Sequence, residues 1–313
     1  MPGIISPILL LAFLAAGRAA PVPAREEEAF AARVRVEEET PRHTLYEVRF
    51  PSALRSPFPV NDTVWGHLYV PKPARPAGAK PACILVLPVM AAPNVWIELR
   101  FVHAFLRRGF AVLWLEMPYQ FHRRPHPSVP SGQVFLARSA RRLGANFRQS
   151  IADARRALTW LGRSGLVDQE RIGLFGISLG GMVAAAVYSV DDRPKGAVLL
   201  LAGAGFPDLA VNGSLTADFV RRAGIGTEEL RRAWQGLDPA AYRERNRGKP
   251  VCLVNARSDT VVPRDNALKL KESFPDARQL WVPFGHYSSA VHLLWVRSYA
   301  AGEFSRLLFP PGP

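Results

Sequence analysis

A single serine, Ser178, stands between Gly176 and Gly180 in the stretch Leu174-Phe175-Gly176-Ile177-Ser178-Leu179-Gly180-Gly181. Apolar residues run into it, and a helix-like series of small residues follows it. A serine at such a strand-to-helix junction sits on a turn so tight that the positions two away on either side must lack side chains. The turn pushes the hydroxyl outward and aims the first helical N–H groups at the same point, where a developing oxyanion would meet donors. A serine hydroxyl is a weak nucleophile unless a base takes its proton, and the base needs an acid to orient it.

The chain supplies both partners downstream, each on a loop that follows an apolar run. Asp259 lies in Arg257-Ser258-Asp259-Thr260-Val261-Val262-Pro263 after Val251–Ala256, and His286 in Phe284-Gly285-His286-Tyr287 after Gln279–Val282. His292 is the only other histidine beyond Asp259, and its apolar surroundings read as a helix face. Asp265 falls in the first turn of a following helix, where a carboxylate is expected anyway. Asp208 lies at the edge of an inserted segment.

The rest of the chain must hold these three loops at one edge. Residues 33–36, 45–50 and 64–70 alternate as half-buried strands do. From residue 83 short apolar strands, near 83–88, 111–116, 171–177, 196–202, 250–256 and 278–283, alternate with helices. Those helices are expected near 95–108, 133–163, 179–190, 263–273 and 288–307. The rhythm predicts an α/β fold with a mostly parallel sheet of about eight strands and helices on both faces. Ligand sites in such sheets lie at the C-terminal ends of the strands. Residues 206–247 break the rhythm and read as a small cap inserted into a domain spanning 30–310.

With these motifs in view, the sequence resembles the α/β-hydrolase superfamily, in its dienelactone-hydrolase-like and acetyl-xylan-esterase-like branch. The resemblance covers roughly residues 60–305. It is carried by Val167–Gly173 entering the elbow, Gly176–Gly181, Asn255–Asp259 with Val261-Val262-Pro263, and Phe284-Gly285-His286. It implies a Ser178–His286–Asp259 hydrolase acting on an ester, with no metal or cofactor. Where many relatives carry His-Gly after the strand ending Leu85-Val86-Leu87, this chain has Pro88-Val89-Met90-Ala91. Pro88 has no N–H, so the oxyanion donors are expected to be Leu179 and either Met90 or Val89. The missing glycines imply a narrow acyl site.

A second unusual stretch, Met117-Pro118-Tyr119-Gln120-Phe121-His122-Arg123-Arg124-Pro125, leaves the same sheet edge. It is either a solvated surface loop or a substrate wall, built from Tyr119, Arg123 and Arg124, that favours an acidic group. The net charge of +14 spread over the chain lacks interleaved aromatics, so a solvated face is expected rather than a nucleic-acid surface. Cys83 and Cys252 fall on strands expected three positions apart, roughly 14 Å at about 4.8 Å per strand, too far for a disulfide. Residues 1–20 resemble a secretory signal peptide, which implies a secreted or periplasmic protein with no stable membrane insertion once the leader is removed. The expected substrate is a small-molecule ester. The alternatives are a peptidase or amidase on the same triad, for which no propeller or other gating domain is evident, and a non-catalytic binding protein on the same fold.

Overall fold

The computed structural model describes residues 29–72, 78–91, 93–288 and 293–310. The leader-like residues 1–20 and His292 lie outside them.

Among the described residues nine strands form one sheet: β1 (Arg33–Glu39), β2 (His43–Pro51), β3 (Thr63–Pro71), β4 (Cys83–Leu87), β5 (Ala111–Leu115), β6 (Ile172–Ile177), β7 (Gly196–Leu200), β8 (Val251–Ala256) and β9 (Arg278–Val282). Their order is β1-β2-β3-β5-β4-β6-β7-β8-β9. The first three strands and the β3–β5 pair are antiparallel, and every pairing from β5 to β9 is parallel. The period of two explains why the parallel strands read as continuous apolar runs. Cys83, Leu85 and Leu87 of β4 pack into the core on one face, while Ile84 and Val86 pack into the core on the other.

Helices α2 (Ala140–Ser164), α3 (Leu179–Val190) and α7 (Arg264–Ser273) cover the first face, and α1 (Trp96–Arg107) and α8 (Leu293–Leu308) the second. Phe175 shows how tightly that second face closes, with ring centroids 4.7 Å from Phe101 and 5.2 Å from Phe105. α2 begins seven residues later than its apolar pattern implied. The Ser139 hydroxyl accepts the Arg142 N–H at 3.3 Å, an N-cap that starts the helix there. Residues 206–247 hold three short helices, α4 (Phe206–Asn212), α5 (Ala217–Arg222) and α6 (Thr227–Ala233). Ala210, Val220, Ile225 and Leu230 from this segment share a small separate core with Ala137, just before α2, and Ala140 and Leu143 at its start. β4 and β8 are separated by β6 and β7, and Cys83 and Cys252 are free and buried. Among the described residues no helix is long and apolar enough to cross a membrane.

Candidate active site

β6 ends at Ile177 and α3 starts at Leu179, so Ser178 alone makes the turn, at φ 54° and ψ −119°. A β-carbon on Gly176 would lie 2.3 Å from the Gly180 carbonyl oxygen, and one on Gly180 would lie 2.1 Å from the Leu87 carbonyl oxygen. Neither contact is possible, so the two glycines are what let α3 start against the ends of β6 and β4. The Ser178 N–H donates to Leu200 O of β7 at 2.8 Å, which pins the strained residue to the neighbouring strand.

The loops after β8 and β9 converge on this serine. His286 Nε2 lies 3.0 Å from Ser178 Oγ, and His286 Nδ1 lies 2.8 Å from Asp259 Oδ2. The carboxylate can only accept, so the imidazole N–H points to Asp259 and the other ring nitrogen accepts the Ser178 hydroxyl proton. Asp259 is held in turn: its Oδ1 accepts the Val261 and Val262 N–H groups at 2.9 and 2.8 Å. Its side chain is 3% exposed. The rival carboxylates are occupied elsewhere. Asp265 is in the first turn of α7, and Asp208 pairs with Lys269 at 2.9 Å.

The segment after β4 is clamped on both sides of one residue. The Val89 N–H donates to Glu98 Oε1 of α1 at 3.2 Å, and Gln120 Nε2 donates to Val89 O at 2.7 Å. The first bond corrects Val89 as an oxyanion donor, because its N–H is already committed. The second orients the next one. In a trans peptide the Val89 C=O and the Met90 N–H point in opposite directions, so holding the carbonyl sets where the Met90 N–H aims. The Leu179 N–H, first in α3, has no acceptor within its helix. Glu98 and Gln120 carry no sequence signal for this role. A Glu in the first turn of a helix reads as a solvated dipole partner, yet Glu98 is 1% exposed, and its burial raises its pKa.

Two apolar chambers meet at Ser178, Met90 and Leu215. The larger, of about 180 Å³, is walled by Ile97, Phe101, Leu201, Val254 and Val296 and includes His286 and Tyr287. The smaller, of about 80 Å³, lies between Phe147, Leu179 and Met182 of the main domain and Phe206, Phe219 and Trp234 of the 206–247 segment.

Tyr119 and Arg123 line neither chamber, and this corrects their expected place in the substrate site. Tyr119 is 1% exposed in the core, edge-on to Phe58 at 6.1 Å. Arg123 is fully buried: it pairs with Asp153 of α2 at 2.7 Å and donates to the Asn61 and Glu116 carbonyls. The charge that looked available for substrate is spent tying the loop to α2. Arg124 borders an open cleft shared with Met90 and Arg138, but its guanidinium donates to Phe121 O at 2.9 Å and Pro127 O at 3.2 Å within its own loop.

The sequence profile of the prolyl oligopeptidase family matches residues 128–303. No curated protein matches the sequence. Among solved structures, the acetyl xylan esterase from Paenibacillus sp. R4 is similar at a TM-score of 0.65 and 18% identity, over 88% of this chain and 90% of that one. The Pyrococcus horikoshii acylaminoacyl peptidase is similar at a TM-score of 0.63 and 14% identity, over 90% of this chain and 51% of that one. The Mycobacterium tuberculosis puromycin-hydrolyzing peptidase is similar at a TM-score of 0.63 and 17% identity, over 90% of this chain and 46% of that one. The chain thus spans nearly the whole esterase and about half of each peptidase.

Proposed function

Since the chain belongs to the prolyl oligopeptidase family and is a serine hydrolase, we propose that it cleaves small carboxylic esters, with Ser178 as nucleophile, His286 as general base and acid, and Asp259 orienting the imidazole. Ser178 Oγ attacks the ester carbonyl carbon as its proton passes to His286 Nε2. The oxyanion takes hydrogen bonds from the Leu179 and Met90 N–H groups. Collapse breaks the bond to the alcohol oxygen, which leaves with the proton from His286. Water then repeats the sequence on the acyl-enzyme and frees Ser178.

The observation that carries the ester reading is the lining of the two chambers. Both are apolar apart from Ser178, His286, Tyr287, Thr216 and the indole of Trp234. A peptide segment would bury amide N–H and C=O groups there without partners, at about 1–3 kcal/mol for each unsatisfied group. An ester brings no N–H at all. The alcohol must leave beside its proton donor, which assigns it to the chamber that contains His286. The acyl group then enters the smaller chamber beneath residues 206–247, which act as a cap. A cavity of roughly 150 Å³ holds a benzene ring, so about 80 Å³ suits an acyl chain of about two to four carbons.

A series of p-nitrophenyl esters from acetyl to octanoyl tests this reading, beside an N-acyl-alanyl p-nitroanilide as the amide. The expected kcat/KM peaks between acetyl and butyryl and falls at least tenfold by octanoyl, with the anilide slower than any short ester. Turnover of the anilide at a rate matching the best ester would overturn it.

A further inference from the structure

A second cluster of chemistry-bearing side chains lies on the antiparallel side of the sheet, in residues the hydrolase machinery does not use. His67 of β3, Glu116 just beyond β5 and His122 of the following loop offer three donor atoms that all lie within 4.8 Å of one another. The sheet register brings them together. Trp65 and His67 are two apart on β3 and so face the same side. The Glu116 N–H donates to Trp65 O at 2.9 Å, which sets Glu116 opposite Trp65 and diagonal to His67. The His122 ring then stacks on Trp65, at 4.1 Å between centroids and 10° between planes.

The donors point inward at one place. Glu116 Oε1 is 3.4 Å from His67 Nε2 and 2.6 Å from His122 Nδ1. What surrounds them has the character of a metal site's outer layer. His67 Nδ1 lies 3.4 Å from Glu37 Oε2, so a carboxylate stands beside the far ring nitrogen, where with an ion on Nε2 it would take the Nδ1 N–H. Glu116 Oε2 accepts the His122 backbone N–H at 2.9 Å, which frees Oε1 alone for a ligand. The neighbouring cation, Arg49, is paired with Glu47 at 2.8 Å. Glu116 is 1% exposed and His122 53%, so the site has a buried floor and an opening to solvent.

We propose that His67 Nε2, Glu116 Oε1 and His122 Nδ1 bind a divalent cation of the zinc class, with water in the fourth position. Two imidazoles and a carboxylate suit Zn²⁺ in tetrahedral geometry. Metal–ligand lengths near 2.0–2.1 Å put tetrahedral ligands about 3.3 Å apart. His67 and Glu116 already stand at that spacing; His122, on an exposed turn, would draw back from Glu116 by about 0.7 Å and settle at the same spacing from His67 Nε2, which lies within 4.8 Å of it. The ion would staple the loop after β5 to β3. That loop carries Gln120, whose side chain holds the Val89 carbonyl, so the staple would act as structural support for the segment after β4.

The test reads binding rather than turnover. Tag-free protein, stripped with a chelator and dialysed, is titrated with ZnCl₂ in a calorimeter. The expected result is one ion per chain, with Co²⁺ giving the strong visible absorption of a four-coordinate site. His122→Ala and His67→Ala should each weaken zinc by at least tenfold, and Glu37→Gln by about tenfold through the outer layer. His286→Ala should bind as the parent does, which separates this site from the Ser178 region. His122 is exposed, so its variant is expected to fold, and circular dichroism checks each protein. Fewer than one ion per two chains, or unchanged binding in both His67→Ala and His122→Ala, would overturn the proposal.

Discussion

Two loops leave the C-terminal ends of strands that flank β4, one after β6 and one after β5, and both carry residue types associated with chemistry. The elbow after β6 turns in a single residue. Its glycines are required because a β-carbon at either would collide with a backbone carbonyl, that of Gly180 or of Leu87, so its sequence pattern and its geometry are the same statement. The loop after β5 is longer, and its arginines looked like a substrate wall. Arg123 instead turns inward to Asp153, and Arg124 caps carbonyls of its own loop. A glycine pattern encodes what the backbone can do at that position. A charged side chain encodes only that a partner is needed, and the partner, 30 residues on in α2, comes from the fold.

The largest effect expected from either loop lies in the elbow. Ser178→Ala should lower ester turnover by roughly a thousandfold or more while the protein stays folded, and adding His286→Ala should cost little further, because the two act as a unit. Steady-state rates on a short p-nitrophenyl ester check this, and additive losses would break the assignment.

The loop after β5 should answer in stability. Arg123→Met leaves Asp153 buried beside an apolar side chain, at a cost of about 3–5 kcal/mol in urea unfolding. Pairing it with Asp153→Leu should recover most of that, since a buried ion pair can often be replaced by apolar residues. Arg124→Ala should stay within about 0.5 kcal/mol. Equal losses for the two arginines would erase the contrast drawn between them.

The same loop touches the chemistry only through Gln120. Gln120→Met keeps the bulk but releases the Val89 carbonyl, and kcat should fall about tenfold to a hundredfold with a smaller change in KM. An unchanged kcat would detach this loop from the Met90 N–H.

The smallest effect concerns Glu98, the other arm of the clamp. Burial raises its folded-state pKa above its unfolded value, which is about 4.3. Between those two values the unfolded chain releases the proton first, so the folded state loses stability as pH rises through that window. Below the unfolded value both states are protonated and the contribution vanishes. Glu98→Gln keeps an acceptor for the Val89 N–H without titrating. Its stability relative to the parent should therefore rise from acid to neutral pH, measured by urea unfolding across that range. A difference independent of pH would mean that burial does not raise the Glu98 pKa in the folded protein.

Most of the strand order's raw material was legible from local pattern. Strands buried on both faces must be apolar throughout, and every strand expected from residue 33 to 283 is present within a residue or three. The elbow, Asp259 and His286 were legible for a related reason, since each follows a strand end and the strand ends share one edge. The helix expected from 133 starts at 140 because an apolar period cannot register the Ser139 cap that ends the preceding loop.

What the sequence by itself determined, then, is what depends on a residue and its near neighbours: the alternation of strand and helix, the glycines of a one-residue turn, and the loop positions of Ser178, Asp259 and His286. Only the tertiary structure decided which N–H at residues 89 and 90 was left over, because Glu98 and Gln120 reach Val89 from elements 9 and 31 residues away. It also decided that Arg123 serves α2 and that His67, Glu116 and His122 face one another. Those outcomes depend on how strands are ordered across the sheet, and a side chain carries no local mark of which distant partner the packing will bring to it.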